Sequence, residues 1–258
     1  MLISKFRDLI LMEISEEKLL SIACDSFTNE ANKNNDISEV DSQIIGYLTT
    51  RACLFKTLCF RAIPNVIINN LYTKKDGRGK KIKSGIQKAI EEFNNIYIHE
   101  SLNDDNLTGT MDESVKDGID TACAITVIGE EGEHERLWDI LEKDIVVVIG
   151  SPLENKEDIN IISNDSNNLL SMESLKVILD YSKDVITISS KGIDNEIKSL
   201  EETNGIKILK RNDLDMNLYN YVIPSSSVIA IMEQEMFSTI RKKIKEDMNV
   251  IGEVKINN

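Results

Sequence analysis

The sequence predicts a protein of the α/β or α+β class. Short apolar runs rich in β-branched residues, typical of strands, alternate with segments whose apolar residues recur every three or four positions, typical of helices. Apolar residues make up 41% of the 258 residues and charged residues 29%, as in ordinary globular domains. This length is sufficient for one large domain or for two smaller ones.

The first half of the chain predicts strands that alternate with two helices. A helix with one buried stripe is predicted over residues 42–62, where apolar residues advance in steps of three and four and Pro64 follows. KIKSGIQKAIEEFNN predicts the second helix. The polar stretch 26–41 has no periodicity and predicts a long loop, which in compact domains is often a lid or binding segment. The predicted strands are KLLSIAC (Lys18–Cys24), VIINNLY (Val66–Tyr72), IYI (Ile96–Ile98) and ACAITVIG (Ala122–Gly129).

The residue composition changes near residue 130, where the charged run EEGEHERLWDILEKD begins and the second half of the chain follows. We place a domain boundary between residues 135 and 136. IVVVIG (Ile145–Gly150) is a continuous apolar run, as expected of a fully buried strand. Ser171 is a candidate N-cap of the helix SMESLKVILDYSKD, and Gly205 ends the helix DNEIKSLEETNG. VITISS and IKILK predict strands, and VIPSSSVIAIM and VIGEVKI flank a helix predicted over residues 233–245.

The charge balance excludes several classes of partner. Thirty basic residues against 44 acidic ones give a net charge of −14, which opposes binding to nucleic acid or to an anionic membrane. An anionic nucleotide can still bind such a protein if Mg²⁺ mediates between its phosphates and the carboxylates. The acidic start MLISKFRDLILMEISEE and the short apolar runs predict a cytoplasmic protein without a membrane span. Four isolated cysteines and two histidines exclude a zinc site of standard spacing.

Three aspartates are the candidate metal ligands. Asp25 follows the first predicted strand, and adjacent Asp104 and Asp105 follow IYI within the acidic segment HESLNDDNLTGTMD. Ligand-binding groups of α/β folds lie at strand ends, and Mg²⁺ prefers a few carboxylates together with water and phosphate oxygens. The alternatives are a turn or capping residue for Asp25 and a solvated loop for the pair. The Walker-type phosphate loop is absent, and DGRGKKIKSG lacks its glycine spacing.

The order of these segments is similar to that of a known superfamily. LSIACDS, IIGYLTTRACLFKTLCFRAIPNVIINNL, ESLNDDN, ITVIG and DIVVVIGSP together resemble the N-terminal half of the ATP-dependent aminoimidazole ribonucleotide synthetase superfamily, which includes thiamine-monophosphate kinase and selenophosphate synthetase. The resemblance is greatest to α-ribazole kinase-like proteins of cobamide salvage, in which a single Asp-Ser follows the first strand. SSKGIDNEIKSLEETNGIKI and VIGEVK look like the second domain, so the resemblance spans roughly residues 17–255.

The resemblance implies a fold and a function. The fold is an α/β N-terminal domain (1–135) with a barrel-like mixed sheet that pairs across a homodimer. An α+β C-terminal domain (136–258) follows, with ATP in the cleft between the two.

The function that the resemblance implies is that of a Mg²⁺- and ATP-dependent kinase that phosphorylates α-ribazole. The alternative is a diverged, non-catalytic member that binds a nucleotide or a partner protein. The low glycine content and the long acidic segment 107–121 favour this alternative.

The resemblance also assigns roles to individual residues, although it names no catalytic base. Three aspartates would hold the metal: Asp25, Asp104 and Asp105. Five further residues would contact the nucleotide or its phosphates: Thr50, Arg51, Asn70, Ser101 and Asn106.

Overall fold

The computed structural model describes residues 1–16, 18–30, 41–97, 102–113, 119–131, 139–152, 169–211, 218 and 225–256. The chain forms two compact units. The first contains Met1–Leu58 and Ala62–Gly132, and the second contains Cys59–Arg61 and Glu133–Asn258. The predicted boundary between residues 135 and 136 lies outside the described residues and stays a prediction.

The first unit contains a mixed six-stranded sheet with the order β1-β2-β3-β6-β4-β5. Neighbouring strands are antiparallel except for β4 and β5, which are parallel. The strands are β1 (Leu2–Phe6), β2 (Leu9–Ser15), β3 (Lys18–Glu30), β4 (Ala62–Thr73), β5 (Leu107–Asp112) and β6 (Ile119–Glu131).

Two helices of the first unit pack on one face of this sheet. Helix α1 (Ser42–Cys59) contacts the sheet, with the Cys53 thiol donating to the carbonyl oxygen of Ile125 on β6. Helix α2 (Arg78–Ile96) buries the predicted stripe of isoleucines and Phe93. The helices cross in close backbone contact, because a Cβ on Gly46 would lie 2.1 Å from the Ile82 carbonyl oxygen.

The second unit contains an antiparallel five-stranded sheet with the order β8-β10-β7-β11-β9. Every residue of the inner strands β7 and β10 is buried, as the continuous apolar run IVVVIG predicts for β7, whereas the third inner strand, β11, is only partly buried. The elements are β7 (Ile145–Gly150), α3 (Met172–Tyr181), β8 (Asp184–Thr187), α4 (Ile193–Asn204), β9 (Ile206–Lys210), β10 (Ser227–Met232), α5 (Gln234–Arg241) and β11 (Met248–Ile256). The predicted fold class is confirmed.

Helix-end chemistry in the second unit also agrees with the sequence. The Ser171 side chain accepts a hydrogen bond from the Ser174 amide at 3.1 Å and so caps α3. Gly205 ends α4 in the left-handed conformation, with φ of 65°.

None of the helices in the described ranges combines the length and apolar character needed to cross a membrane.

Three predicted elements are wrong at least in part. The predicted loop 26–41 is the first, because residues 26–30 continue β3, and residues 31–40 lie outside the described residues. The predicted strand Ile96–Ile98 begins inside α2, which continues to Ile96 because Tyr97 stacks on Phe93 and its amide donates to the Phe93 carbonyl, and Ile98 lies outside the described residues. Residues 107–112, predicted as part of a loop, form β5. This strand lies at the sheet edge and is mostly exposed, so its sequence lacks the apolar alternation that marks a half-buried strand.

Candidate functional site

Asp25 was predicted to follow the end of a strand, but it lies within β3. The strand continues to Glu30 because its second half pairs with β6 along its whole length. The Asp25 side chain faces α1, where its Oδ2 accepts a hydrogen bond from the Lys56 ammonium at 2.9 Å. Its Oδ1 accepts one from the Ser26 amide at 2.8 Å. Asp25 therefore belongs to an ion pair between sheet and helix.

Lys56 is a residue that the sequence reasoning missed. It is only 11% exposed and, besides Asp25, it donates to the carbonyl oxygen of Cys24 at 3.4 Å. Burial lowers the pKa of Lys56, but the charge and hydrogen bond of Asp25 outweigh burial and leave that pKa raised. A signal was present, because Arg51 and Lys56 are the only charged residues in an otherwise uncharged helix. Buried charges of this kind require carboxylate partners.

Thr50 and Arg51 are both buried inside the first unit. The Thr50 hydroxyl donates to the Gly46 carbonyl oxygen at 2.8 Å, within α1. The Arg51 guanidinium forms an ion pair with Glu92 of α2 and lies over the Phe55 ring at 4.7 Å. These contacts join α1 to α2. Nucleotide contact by either residue stays a prediction.

Tyr47 completes the junction between these helices. Its hydroxyl donates to Glu92 at 2.8 Å, and Lys88 lies 4.6 Å from the ring centroid. Burial raises the pKa of Tyr47 to about 12, with Arg51 opposing this shift and Glu92 adding to it. Tyr47 therefore stays a neutral hydrogen-bond donor at physiological pH.

Asn70 and its neighbour Asn69 face opposite sides of the sheet. Asn70 is exposed and accepts a hydrogen bond from the Thr110 hydroxyl at 3.0 Å. It does not end its strand, since β4 continues to Thr73. Asn69 is buried on the helix-covered face and donates to the Thr108 carbonyl at 2.9 Å. Among the described residues its Oδ1 has no hydrogen-bond partner, so Asn69 is a polar group that the sequence did not single out.

The acidic pair belongs to a tight turn before β5. Asp104–Asn106 form one 3-10 turn, in which the Asp105 amide donates to Asn103 Oδ1 at 2.9 Å. Asn106 donates to the carbonyl of Asn65 on β4 at 2.7 Å, which fixes the turn to the sheet. Asp105 is exposed. Ser101 and the side chain of Asp104 lie outside the described residues.

The strand order does not bring Asp25 and Asp105 together within one chain. Strands β6 and β4 lie between β3 and β5, and three strand spacings amount to roughly 14 Å. One magnesium ion holds its ligands at about 2.1 Å, so it cannot bind both carboxylates. In the described part of the chain no three His, Cys, Asp or Glu side chains form a group that could hold a metal. The described residues do not fit the predicted magnesium site.

Buried serines lie at one end of the inner strand β10 of the second unit's sheet. Ser225, Ser226 and Ser227 are all fully buried, and Ser225 has a positive φ of 67°. The hydroxyls of Ser225 and Ser227 have no hydrogen-bond partner among the described residues. Opposite Ser227, Gly150 ends β7 with φ of 91°, and a Cβ there would lie 2.6 Å from the Ser226 carbonyl oxygen. The free-energy cost of unpaired buried hydroxyls makes this end of β10 and β7 a candidate contact for a polar ligand.

The second unit also contains a cavity of about 180 Å³. It is lined by Asp180, Tyr181, Lys183, Glu233 and Met236. The Lys183 ammonium lies 3.0 Å from Asp144 and 3.2 Å from Glu233, so its charge is already neutralised. The excess of carboxylates makes this cavity unsuitable for a phosphate group.

Comparison with known proteins identifies solved structures with this architecture. No protein-family model and no curated protein sequence matches the chain. Thiamine monophosphate kinase from Aquifex aeolicus aligns over 98% of this chain and 90% of its own, with a TM-score of 0.65 and 16% identity. The chain has the aminoimidazole ribonucleotide synthetase-like fold.

Further solved structures share this fold. A complex of AaThiL with AMPPCP and TMP aligns over 97% of this chain and 85% of its own, with a TM-score of 0.64 and 14% identity. E. coli HypE, a hydrogenase maturation protein, aligns over 92% of this chain and 80% of its own, with a TM-score of 0.63 and 13% identity. At these identities the similarity establishes the fold.

Proposed function

We propose that the protein is an ATP-dependent phosphotransferase that acts on a small molecule. The observation that supports this proposal is the match, over 97% of the chain, to a kinase structure that holds AMPPCP and TMP. Phosphoryl transfer depends mainly on positioning and charge neutralisation, with little covalent chemistry from the protein. A chain that shares most of this fold can therefore share the activity despite low sequence identity.

α-Ribazole is the proposed acceptor, to be phosphorylated on its ribose hydroxyl. This finer assignment rests on the sequence resemblance, in which a single Asp25-Ser26 follows the first apolar run. Cobamide salvage, a cytoplasmic location and ATP as phosphoryl donor belong to the same proposal.

Within this proposal the predicted site residues divide into two groups. Asn70 and Asp105 are exposed and are available to the ligand, whereas Asn106 is half-buried and fixes the turn to β4. Thr50 and Arg51 are fully buried, so they would support the site by fixing α1 against α2. Because the described residues do not fit a magnesium site, no step of the reaction is assigned to a protein-bound metal.

A non-catalytic protein that binds a nucleotide or a partner is the second candidate. The Lys56–Asp25 pair favours it, since a carboxylate predicted to hold metal is neutralised by the protein itself.

A homodimer is part of both candidates. The sheet face opposite α1 carries apolar side chains, of which Ile3 is 57% and Ile10 is 48% exposed. Ile22, Ile68 and Ile128 on the same face are half-buried. We propose that a second copy of the chain covers this face.

The experiment that separates the two candidates is a turnover assay on the purified protein with ATP and α-ribazole, with and without Mg²⁺. Formation of ADP together with an α-ribazole phosphate ester, detected by mass spectrometry, would support the kinase. ATP binding without either product would support the second candidate. ADP formation independent of α-ribazole would contradict the proposed acceptor but not the phosphotransferase class.

A further inference from the structure

Both carboxylate oxygens of Asp25 have donors from the protein itself. Oδ2 accepts from the Lys56 ammonium at 2.9 Å, and Oδ1 accepts from the Ser26 amide at 2.8 Å. The Asp25 side chain is 25% exposed and that of Lys56 is 11% exposed, so water screens their attraction incompletely. A cation that approached Asp25 would have to displace this ammonium or sit beside it.

The Lys56 ammonium is held in place and charged. α1 carries it to the sheet, and the Cys24 carbonyl accepts a second hydrogen bond from it at 3.4 Å. Both partners of Lys56 are acceptor oxygens, which suits the ammonium form of lysine because it is a donor only.

The surroundings of Asp25 offer a metal ion few other ligands. Cys53 lies in the same part of α1, but burial raises its pKa far above neutrality, so it is a neutral thiol. No three carboxylate, thiol or imidazole groups of the described residues lie together. Mg²⁺ requires oxygen ligands in near-octahedral geometry, which this polar pair does not supply.

We propose that Lys56 is a tethered cation that takes the place of a divalent metal at Asp25, so that this carboxylate binds no metal ion. The pair is charge-neutral and joins α1 to β3. An anionic ligand that reaches this part of the unit meets an ammonium group and not a metal. The proposal does not rest on the proposed function, because it holds whether or not ATP binds.

Binding of Mn²⁺ alone tests the proposal. Free Mn²⁺ is measured by electron paramagnetic resonance in titrations of the wild-type protein and Asp25→Asn, without nucleotide. We expect the number of sites and their dissociation constants to agree within twofold, since the acidic surface contributes equally to both proteins. Loss of one site, or a tenfold weaker site, in Asp25→Asn would overturn the proposal.

The variant Asp25→Asn leaves Lys56 buried without its partner, so it can lose stability. Asp25→Asn/Lys56→Met removes both charges and replaces the single variant in the Mn²⁺ titration if that variant unfolds. The expected result and the contradicting result are the same for this protein.

A thermal double-mutant cycle tests the ion pair independently. We expect Asp25→Asn to lower the Tm more than Asp25→Asn/Lys56→Met does, because only the single variant leaves a buried charge unpaired. The control is Lys18–Glu130, an exposed ion pair of the same sheet at 2.9 Å. The Tm changes caused by substituting Lys18 and Glu130 separately should add in the double variant. Additive losses at Asp25 and Lys56 would contradict a coupled pair. Failure of ATP binding would leave both tests unchanged.

Discussion

At the scale of single residues, the buried charges of α1 decide how the first unit holds together. Arg51 is 1% exposed and its partner Glu92 is 27% exposed, with Tyr47 donating to the same carboxylate. Lys56 and Asp25 form the equivalent link from α1 to the sheet. The sequence shows that these two basic residues need partners, but only the folded chain shows which carboxylates they are.

Glu92→Gln should lower the free energy of unfolding by about 3 kcal/mol, because it removes the carboxylate that pairs with the buried Arg51 guanidinium. Urea denaturation followed by circular dichroism measures the change. Glu91→Gln is the matched control, since Glu91 is the exposed neighbour on the same helix, and its effect should stay within about 0.5 kcal/mol. Equal effects of the two substitutions would show that the Arg51–Glu92 pair does not stabilise the fold.

Glu246 predicts a specific pH dependence. Burial raises the pKa of its carboxyl, but hydrogen bonds from Ser174 and Ser171 outweigh burial and leave the pKa lowered. A lowered pKa stabilises the fold above the unfolded-state pKa, and this stabilisation is lost as the pH falls through the folded-state pKa. The Tm advantage of the wild-type protein over Glu246→Gln should therefore be constant above about pH 6 and shrink towards about pH 3. A difference that does not change with pH would contradict this role of the carboxylate.

At the scale of elements, the close crossing of α1 and α2 depends on two glycines. A Cβ on Gly85 would lie 1.9 Å from the Gln43 carbonyl oxygen, and backbone atoms cannot yield as a flexible side chain can. Gly85→Ala should destabilise the protein by about 2 kcal/mol or more, although alanine favours helix elsewhere. Lys83→Ala, at an exposed position of the same helix, is the control and should change stability by less than about 0.5 kcal/mol. Equal unfolding midpoints of both variants would argue against the close crossing.

Elements with strong internal patterns could be predicted from the sequence, and those that depend on distant partners could not. IVVVIG coincides with β7, every residue of which is buried, and IKILK coincides with the edge strand β9, which buries Ile206 and Ile208 in alternation. Strands β1, β2 and β5 lie at or next to the sheet edges, where exposed side chains show no alternation of apolar and polar residues.

The candidate site follows the same rule. Sequence reasoning could select Asp25 and Asp105, but the strand order that separates them is a non-local property.

At the scale of the whole molecule, we predict that the protein is a homodimer formed through the exposed apolar face of the first sheet. Sedimentation velocity should give a dimer of the 29.1 kDa chain. Ile10→Lys places a charge on this face and should weaken the dimer at least tenfold. Leu209→Lys, at a residue of the second unit that is 57% exposed, should leave the dimer intact. A wild-type monomer, or equal effects of both substitutions, would contradict the assignment of this face.

ATP binding is the central claim of the account, and isothermal titration calorimetry tests it most directly. Titrations with and without Mg²⁺ would compare the wild-type protein with Asp105→Asn and with Asp112→Asn, which changes the charge equally at the other end of β5. We predict that the wild-type protein binds ATP. With Mg²⁺ present, Asp105→Asn should weaken binding at least tenfold, because the exposed Asp105 carboxylate would contact Mg²⁺ carried by the nucleotide, whereas Asp112→Asn should change binding less than twofold. Absence of ATP binding to the wild-type protein under both conditions would contradict a nucleotide-dependent function for this fold.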